Sequence, residues 1–274
     1  MSPYFYLNGQ IVPEAEAQLH ITDLGLLRAY GIFDFFRAMD GQPVFMEDHL
    51  DRFEHSARLM GLTIPKSRET LREVILELIR LNDQPLLGIK MVLTGGYSPD
   101  GYAPADQANL MMIAKPFKFM EAPNGLKFMT VHHQRQLPEV KSLDYLMPIY
   151  LLRQQKAVGA NDVLYHFNGL VTESSRSNVF IVKNETVITP AAGMLKGITR
   201  KHILDVAQSH FAVEERDVSL QEVLAADEVF TTGSSKKIVA VTQIDEHLIG
   251  NGSTGKITTK LLQLFEAHEE LVTI

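Results

Sequence analysis

The stretch EVKSLDYL (139–146), with NDVLYHFNGLVTESSRSNVFIV (161–182) and ITPAAGMLKGITR (188–200), decides the fold. Its branched and aromatic runs predict strands, and its last segment predicts a helix from about Thr199. Free backbone amides at a helix N-terminus, together with a nearby hydroxyl, can bind a phosphate group. The Gly-Ile-Thr sequence at 197–199 is therefore a candidate anion site.

A second candidate anion site is the turn TTGSS (231–235). It follows a predicted strand at 227–232, and amides in such a glycine- and hydroxyl-rich turn can converge on one oxyanion. Taken singly, each motif would be read as ordinary helix capping or an ordinary turn. The argument for a phosphate site depends on finding both motifs in one chain.

Outward from this stretch, the chain alternates predicted strands and helices, which indicates an α/β protein. The N-terminal half opens with a hairpin at 4–12 around Asn8-Gly9, a dipeptide that tolerates the positive φ of a tight turn. The loop YSPDGYAPAD (97–106) contains proline and glycine that forbid regular structure. The remaining predictions are strands at 31–39, 43–46, 89–96, 109–116, 127–134, 162–167, 178–183 and 186–189, and helices at 47–60, 68–81, 144–158 and 254–270. Ser67 is the residue expected to precede the helix at 68–81.

The pattern predicts two domains. Proline and glycine between strand-like segments mark residues 119–126 as a linker. We expect a smaller α/β domain at 1–118 and a larger one at 127–274.

Composition excludes several classes of protein. The chain has 274 residues, 45% hydrophobic composition and a net charge of -7, which argue for a sizeable core and against binding to nucleic acid or anionic membranes. There is no cysteine and hence no disulfide or thiolate metal site, and His132-His133 lacks the acidic neighbours of a metal site. Without a signal-like or membrane-spanning segment, we expect a cytoplasmic protein with no metal.

The order and spacing of the three opening segments closely resemble the class IV aminotransferases, the fold-type IV pyridoxal-phosphate enzymes. The family includes branched-chain and D-amino acid aminotransferases and aminodeoxychorismate lyases. The resemblance extends more loosely to YLNGQIV, GIFDFFR, HLDRF and DEVFTTGSS. It implies a two-domain fold like that of D-amino acid aminotransferase, with pyridoxal 5'-phosphate as cofactor.

The resemblance assigns two central residues. The lysine of KSLDY implies that Lys141, one of fourteen lysines, forms the Schiff base with the cofactor and moves a proton at the substrate α carbon. The glutamate of VTES implies that Glu173 keeps the pyridine nitrogen protonated, so that the ring can withdraw electrons.

The resemblance also implies the rest of the cofactor site. Arg52 of HLDRF would bind the phosphate with a forked guanidinium, although a surface ion pair with Glu47, Asp48 or Asp51 is the alternative. Leu195 would pack on the pyridine ring. Tyr145 would lie near the phenolic oxygen, but it follows the lysine by four residues where branched-chain enzymes commonly have five. The phosphate site would be completed by Gly197, Ile198, Thr199, Gly233 and Ser234.

Substrate choice in the family depends on three segments, and this sequence departs from each pattern. Phe35 stands where branched-chain enzymes have a glycine. The loop lacks the arginine and histidine of D-amino acid enzymes and offers Asp100 and Tyr102. Aminodeoxychorismate lyases share a GY-type loop but tend to have threonines at Asp34 and Phe35. The candidate substrate residues are Phe33, Phe35, Tyr97, Tyr102 and Ser235.

The sequence therefore predicts ping-pong transamination between an amino acid and a 2-keto acid. Phe33, Phe35 and Phe36 favour an aliphatic, branched-chain-like substrate, although one of them must face away on a strand. The alternatives are a pyruvate-releasing aminodeoxychorismate lyase, a D-amino acid aminotransferase, and an inactive pyridoxal-phosphate carrier. The resemblance also implies a homodimer in which the loop at 95–103 closes the neighbour's site.

Overall fold

The computed structural model of the protein describes residues 3–273, and side chains are described as far as Leu271. The chain divides into two compact units, residues 3–118 with Val140–Tyr145, and Phe119–Glu139 with Leu146–Leu271. No helix in the described part is long and apolar enough to cross a membrane. The cytoplasmic location stays a prediction.

The first unit is a six-stranded antiparallel sheet with three helices. Its elements are β1 (Tyr4–Leu7), β2 (Gln10–Pro13), α1 (Leu24–Arg28), β3 (Gly31–Met39), β4 (Gln42–Pro43), α2 (Met46–Leu59), α3 (Arg68–Asn82), β5 (Leu86–Thr94) and β6 (Asn109–Pro116). The strand order is β2-β1-β6-β5-β3-β4. The predicted hairpin at 4–12 is present, with Asn8 and Gly9 at positive φ in its turn.

Only one face of this sheet packs on the hydrophobic core. Side chains alternate along β3, so Ile32, Phe36 and Ala38 join the core with α2 and α3. Phe33 and Phe35 lie on the opposite face. Phe36 is therefore the phenylalanine of β3 that faces the core, on the side opposite Phe33 and Phe35.

The start of α2 corrects one sequence prediction. A strand was expected at 43–46, but β4 ends at Pro43 and α2 begins at Met46. Phe45 adopts positive φ at the N-cap, which turns the chain from strand to helix within two residues. By contrast, Ser67 caps α3 as its sequence position suggests, since its hydroxyl accepts a hydrogen bond from the Thr70 amide at 3.2 Å.

The segment Val140–Tyr145 follows the predicted linker, yet it lies in the first unit. The reason is backbone pairing along the free edge of β3. The Phe33 amide donates to the Lys141 carbonyl at 2.9 Å, and the Leu143 amide donates to the Gly31 carbonyl at 2.9 Å. The expected domain at 127–274 is thus interrupted at the segment that contains Lys141.

The second unit is built on a mixed nine-stranded sheet. Its elements are β7 (Leu126–His132), α4 (Leu146–Ala157), β8 (Asp162–Phe167), β9 (Leu170–Ser174), β10 (Asn178–Lys183), β11 (Thr186–Thr189), α5 (Ile198–Gln208), β12 (Val213–Glu215), α6 (Leu220–Leu224), β13 (Glu228–Gly233), β14 (Lys237–Ile244), β15 (His247–Leu248) and α7 (Lys256–Thr273). The order is β12-β11-β10-β13-β14-β7-β8-β9, and β15 pairs with β14. Buried aliphatic residues of this sheet and of α6 form its main core.

Candidate active site

Lys141 lies directly opposite Phe33 on the edge of β3, so both side chains are on the face that does not pack on the core. The Lys141 Nζ atom is 4.6 Å from the centroid of the Phe33 ring. Tyr145 meets the same ring edge to face, with the centroids 5.6 Å apart. The structure thus brings two sequence-predicted site residues, Lys141 and Tyr145, to the ring of a third, Phe33.

On the core face, Arg52 binds Asp34 through two parallel hydrogen bonds. Its Nε atom is 2.8 Å from Asp34 Oδ2, and one terminal nitrogen is 2.8 Å from Oδ1. His49 Nδ1 lies 2.6 Å from the same Oδ1. Arg52 therefore pairs with a fully buried aspartate, and not with the surface acids Glu47, Asp48 or Asp51 that were its expected alternative.

Burial and charge act in opposition on this cluster. Burial disfavours the charged form of Asp34, but the charge of Arg52 and the hydrogen bonds of Arg52 and His49 outweigh it and hold the pKa of Asp34 well below its usual range. Burial lowers the pKa of His49 although Asp34 opposes the shift, and the charges of Arg52 and Lys141 lower it further. At neutral pH the cluster is therefore an ionised Asp34 between a charged Arg52 and a neutral His49.

The candidate substrate residues of the first unit lie at separate places. Phe35 packs against Phe117, with ring centroids 5.7 Å apart. Tyr97 and Tyr102 are in the loop at 95–103, and Tyr102 is 81% exposed. Asp100 Oδ1 accepts hydrogen bonds from the Tyr102 and Ala103 amides at 2.9 and 2.8 Å, so this carboxylate organises the loop itself.

In the second unit, Glu173 is buried at the end of β9. Its Oε1 accepts a hydrogen bond from Arg135 Nε at 2.8 Å, and its Oε2 accepts one from the Leu195 amide at 3.2 Å. Leu195 is half-buried and is held by this bond and by Asn178, whose Nδ2 donates to the Leu195 carbonyl at 2.7 Å.

The predicted anion site at 197–199 is the N-terminus of α5. Gly197 is the N-cap and has no side chain to accept from the first amides of the helix, those of Ile198 and Thr199. A Cβ on Gly197 would lie 2.2 Å from Asn178 Oδ1. Glycine at this position is therefore required by the close approach of Asn178, and it leaves the end of the helix open to an anion.

The turn at 233–236 supplies further polar groups that fit a phosphate ester. Gly233 ends β13, and half-buried Ser234 and exposed Ser235 follow it. Ser177 Oγ and Thr232 Oγ1 are buried without a hydrogen-bond partner in the described chain. Ser177 Oγ is 3.5 Å from the position of a Cβ on Gly233, so this hydroxyl lies beside the turn. Unsatisfied buried hydroxyls and open amides match the acceptor oxygens of pyridoxal phosphate.

The sequence analysis did not predict two hydrogen-bond partners of candidate site residues, His49 and Arg135. His49 stands three residues before Arg52, one helical turn away, so its spacing within HLDRF could have indicated a shared helix face. Arg135 is 38 residues from Glu173, and no local spacing links them.

The chain is similar to known proteins over most of its length. The family model for class IV amino-transferases matches residues 31–244. The chain is 34% identical over 272 residues to a putative branched-chain-amino-acid aminotransferase of Methanocaldococcus jannaschii, covering 95% of this chain and 94% of the relative. It is 30% identical over 261 residues to a D-alanine aminotransferase of Bacillus licheniformis, covering 92% of each.

Solved structures show the same fold. A branched-chain aminotransferase of Thermoproteus uzoniensis with norvaline has a TM-score of 0.91 at 26% identity, covering 98% of this chain and 95% of that one. The branched-chain amino acid aminotransferase of Escherichia coli has a TM-score of 0.90 at 24% identity, covering 100% and 95%. The predicted fold class is confirmed. This chain belongs to the class IV aminotransferase family, whose cofactor is pyridoxal 5'-phosphate.

Proposed function

We propose that this aminotransferase moves an amino group between an apolar, branched-chain-like amino acid and a 2-keto acid by a ping-pong mechanism, with Lys141 as the catalytic residue. The observation that carries the proposal is the position of Lys141 Nζ over Phe33, on a sheet face that also contains Phe35. An amine and an apolar surface on one face suit a reaction at the α carbon of an aliphatic amino acid.

In this proposal, Lys141 Nζ holds the cofactor covalently between turnovers and then moves a proton at the substrate α carbon. When bound, pyridoxal phosphate supplies an aldehyde for the amino group and a ring that withdraws electrons from that carbon. A lysine amine near the α carbon can both accept the proton and return it. Tyr145, in ring contact with Phe33, would lie near the phenolic oxygen.

Glu173 would hold a proton on the pyridine nitrogen. Its bonds from Arg135 and Leu195 fix the position of the carboxylate. The Leu195 side chain would pack on the ring. Arg52 would bind the phosphate because Asp34 uses its Nε and one terminal nitrogen, which fixes the direction of the other terminal nitrogen.

The phosphate site would be completed in the second unit by the amides of Ile198 and Thr199 and by Gly197, Gly233 and Ser234. The open N-terminus of α5 supports this assignment. Tyr97, Tyr102 and Ser235 are proposed to contact the substrate.

The D-alanine aminotransferase relatives support a second candidate function, transamination of a D-amino acid. The loop at 95–103 argues for the branched-chain alternative because it has no arginine or histidine to bind a carboxylate.

We also propose a homodimer. Helix α4 exposes four large apolar side chains, Leu146, Ile149, Tyr150 and Leu152, each at least 56% exposed. Contiguous apolar surface of this kind is typical of protein interfaces.

The experiment follows the absorbance of the holoenzyme as L-leucine, L-glutamate, D-alanine or aminodeoxychorismate is added. Conversion to the pyridoxamine form by L-leucine, faster than by D-alanine, is expected. The reverse order would replace the branched-chain assignment with the D-amino acid one. Pyruvate release from aminodeoxychorismate without cofactor conversion would establish a lyase, and no reaction with any compound would leave an inactive carrier.

A further inference from the structure

Asp23 is a buried carboxylate of the first unit that the proposed reaction does not use. It is the N-cap of α1, and the residue is 1% exposed. Its Oδ1 accepts a hydrogen bond from the Gly25 amide at 2.7 Å. Its Oδ2 accepts two more, from Thr94 Oγ1 at 2.7 Å and from Asn109 Nδ2 at 2.7 Å. These donors offset the cost of burying the carboxylate, and they tie separate segments of the chain to one side chain.

The two donors to Oδ2 stand at the base of the loop at 95–103. Thr94 is the last residue of β5 and Asn109 is the first residue of β6, and the two lie directly opposite each other in the sheet. One oxygen of Asp23 therefore spans the two strands that the loop connects. The orientation of the Asn109 amide is fixed as well, because its Oδ1 accepts a hydrogen bond from Asn8 Nδ2 at 2.9 Å.

The backbone on either side of this carboxylate pairs with the loop itself. The Leu24 amide donates to the Gly96 carbonyl at 3.0 Å. The Ser98 amide donates to the Thr22 carbonyl at 3.1 Å. Tyr97 lies between these two bonds, in an antiparallel bridge with the aspartate. The position of the Tyr97 backbone therefore follows from that of the segment that the carboxylate anchors.

We propose that Asp23 is a positioning residue for the substrate: it fixes the base of the loop at 95–103, and the loop then holds Tyr97 where the substrate binds. This inference rests on the proposed contacts of Tyr97 and Tyr102 with the substrate. A binding group acts only when its support holds it in the productive position, so loss of that support weakens binding. Asp23 touches no reacting atom in this account. It should therefore determine KM and leave kcat and the affinity for pyridoxal phosphate unchanged.

The first variant is Asp23→Asn, which keeps the size of the side chain and changes one oxygen to an amide nitrogen. The Gly25 and Asn109 nitrogens that bond to the carboxylate are donors and cannot accept. Whichever way the new amide turns, its nitrogen faces one of them. We expect the KM for the amino donor that wild type converts fastest to rise by about tenfold, with kcat and the dissociation constant of pyridoxal phosphate within about twofold of wild type.

The rescue variant combines Asp23→Asn with Asn109→Asp and so exchanges the two side chains at unchanged net charge. The amide nitrogen introduced at position 23 can then donate to the carboxylate introduced at position 109 and to Thr94 Oγ1. Asn8 Nδ2 can still donate to position 109. We expect Asn109→Asp alone to raise KM, because two carboxylates then face each other, and the double variant to return KM to within about threefold of wild type.

Asn82→Ala is the matched control for a loss of stability in the same unit. Asn82 joins α3 to β1, since its Oδ1 accepts from the Tyr4 amide at 3.0 Å and its Nδ2 donates to the Tyr4 carbonyl at 3.1 Å. This variant should lower the midpoint of thermal unfolding and keep the wild-type KM. Hydrogen exchange, followed by mass spectrometry of peptides from the loop at 95–103, should be faster in Asp23→Asn and unchanged in Asn82→Ala.

An unchanged KM or unchanged exchange of the loop in Asp23→Asn, or a double variant no better than the single ones, would overturn the assignment of Asp23. An equal rise of KM in Asn82→Ala would also overturn it, because the effect would then reflect stability alone. Failure of the proposed function would look different. In that case Lys141→Ala would still convert the cofactor with amino acids, and the exchange of the loop in Asp23→Asn would still decide whether Asp23 holds it.

Discussion

At the scale of single residues, the buried Asp34, His49 and Arg52 cluster shows how the chain fixes a cation in its interior. An isolated buried carboxylate would be costly, and two hydrogen bonds from Arg52 with one from His49 offset that cost. The arrangement commits two nitrogens of Arg52 to Asp34. A guanidinium can donate from two nitrogens to one carboxylate and still have a third nitrogen for a phosphate. Lysine has a single nitrogen and could not replace it.

The neutral state of His49 predicts a pH dependence of stability. Burial lowers the pKa of His49 from its ordinary value of 6.5, so below that pH the unfolded chain takes up a proton that the folded chain resists. The contribution of neutral His49 to the free energy of unfolding is thus fully present above about pH 6.5. It falls as the pH drops below that value, by at most about 1.4 kcal/mol per pH unit. We expect the free-energy advantage of wild type over His49→Gln in urea unfolding to be smaller at pH 5 than at pH 7.5.

The control for this experiment is His247→Gln, which removes an exposed histidine on β15. Its stability difference from wild type should change less between the two pH values. If the difference for His49→Gln is the same at pH 5 and pH 7.5, His49 does not contribute through its buried neutral form.

At the scale of elements, the entry into α5 predicts a consequence for cofactor binding. Gly197→Ala would push a Cβ into Asn178 Oδ1 and displace the amide that holds the Leu195 carbonyl. Overpacking of this kind costs about 1–3 kcal/mol. We expect the dissociation constant of pyridoxal phosphate, measured by spectroscopic titration, to rise by about tenfold.

Ser209→Ala, at the opposite end of α5, is the matched control because it leaves the N-terminus intact. It should bind the cofactor like wild type. Wild-type affinity in Gly197→Ala would show that the N-terminus of α5 does not contribute to the phosphate site.

The exposed apolar side chains of helix α4 lead to a prediction about assembly. Ile149→Glu places a charge in the exposed apolar surface of α4, and we expect it to convert a dimer to a monomer in size-exclusion chromatography with light scattering. Leu248→Glu, also on an exposed leucine but on β15, should stay dimeric. A wild-type monomer, or a dimer insensitive to Ile149→Glu, would contradict the interface on α4.

Sequence patterns located some elements well and others poorly. The strand predicted at 109–116 coincides with β6, and Ser67 was placed correctly as the residue before α3. No strand was predicted for β14 at Lys237–Ile244. The sequence predicted site residues only where they belong to a local motif. The bonds from Arg135 to Glu173 and from Asn109 to Asp23 depend on tertiary pairing.

At the scale of the whole molecule, the segment that contains Lys141 interrupts the second unit and belongs to the first. Val140–Tyr145 leaves the sequence of the second unit and pairs with β3 of the first. Backbone pairing fixes the edge position of Lys141, and its Nζ lies over the Phe33 ring. We infer that a mutation that frays the β3 edge would disturb catalysis before it disturbs either hydrophobic core.

The most direct test of the account is to reduce the holoenzyme with borohydride, digest it and locate the phosphopyridoxyl group by mass spectrometry. The account predicts that the group is on Lys141, one of fourteen lysines, and that Lys141→Ala acquires no label. A label on another lysine in the wild-type enzyme, or an unchanged label in Lys141→Ala, would contradict the central claim that Lys141 holds the cofactor.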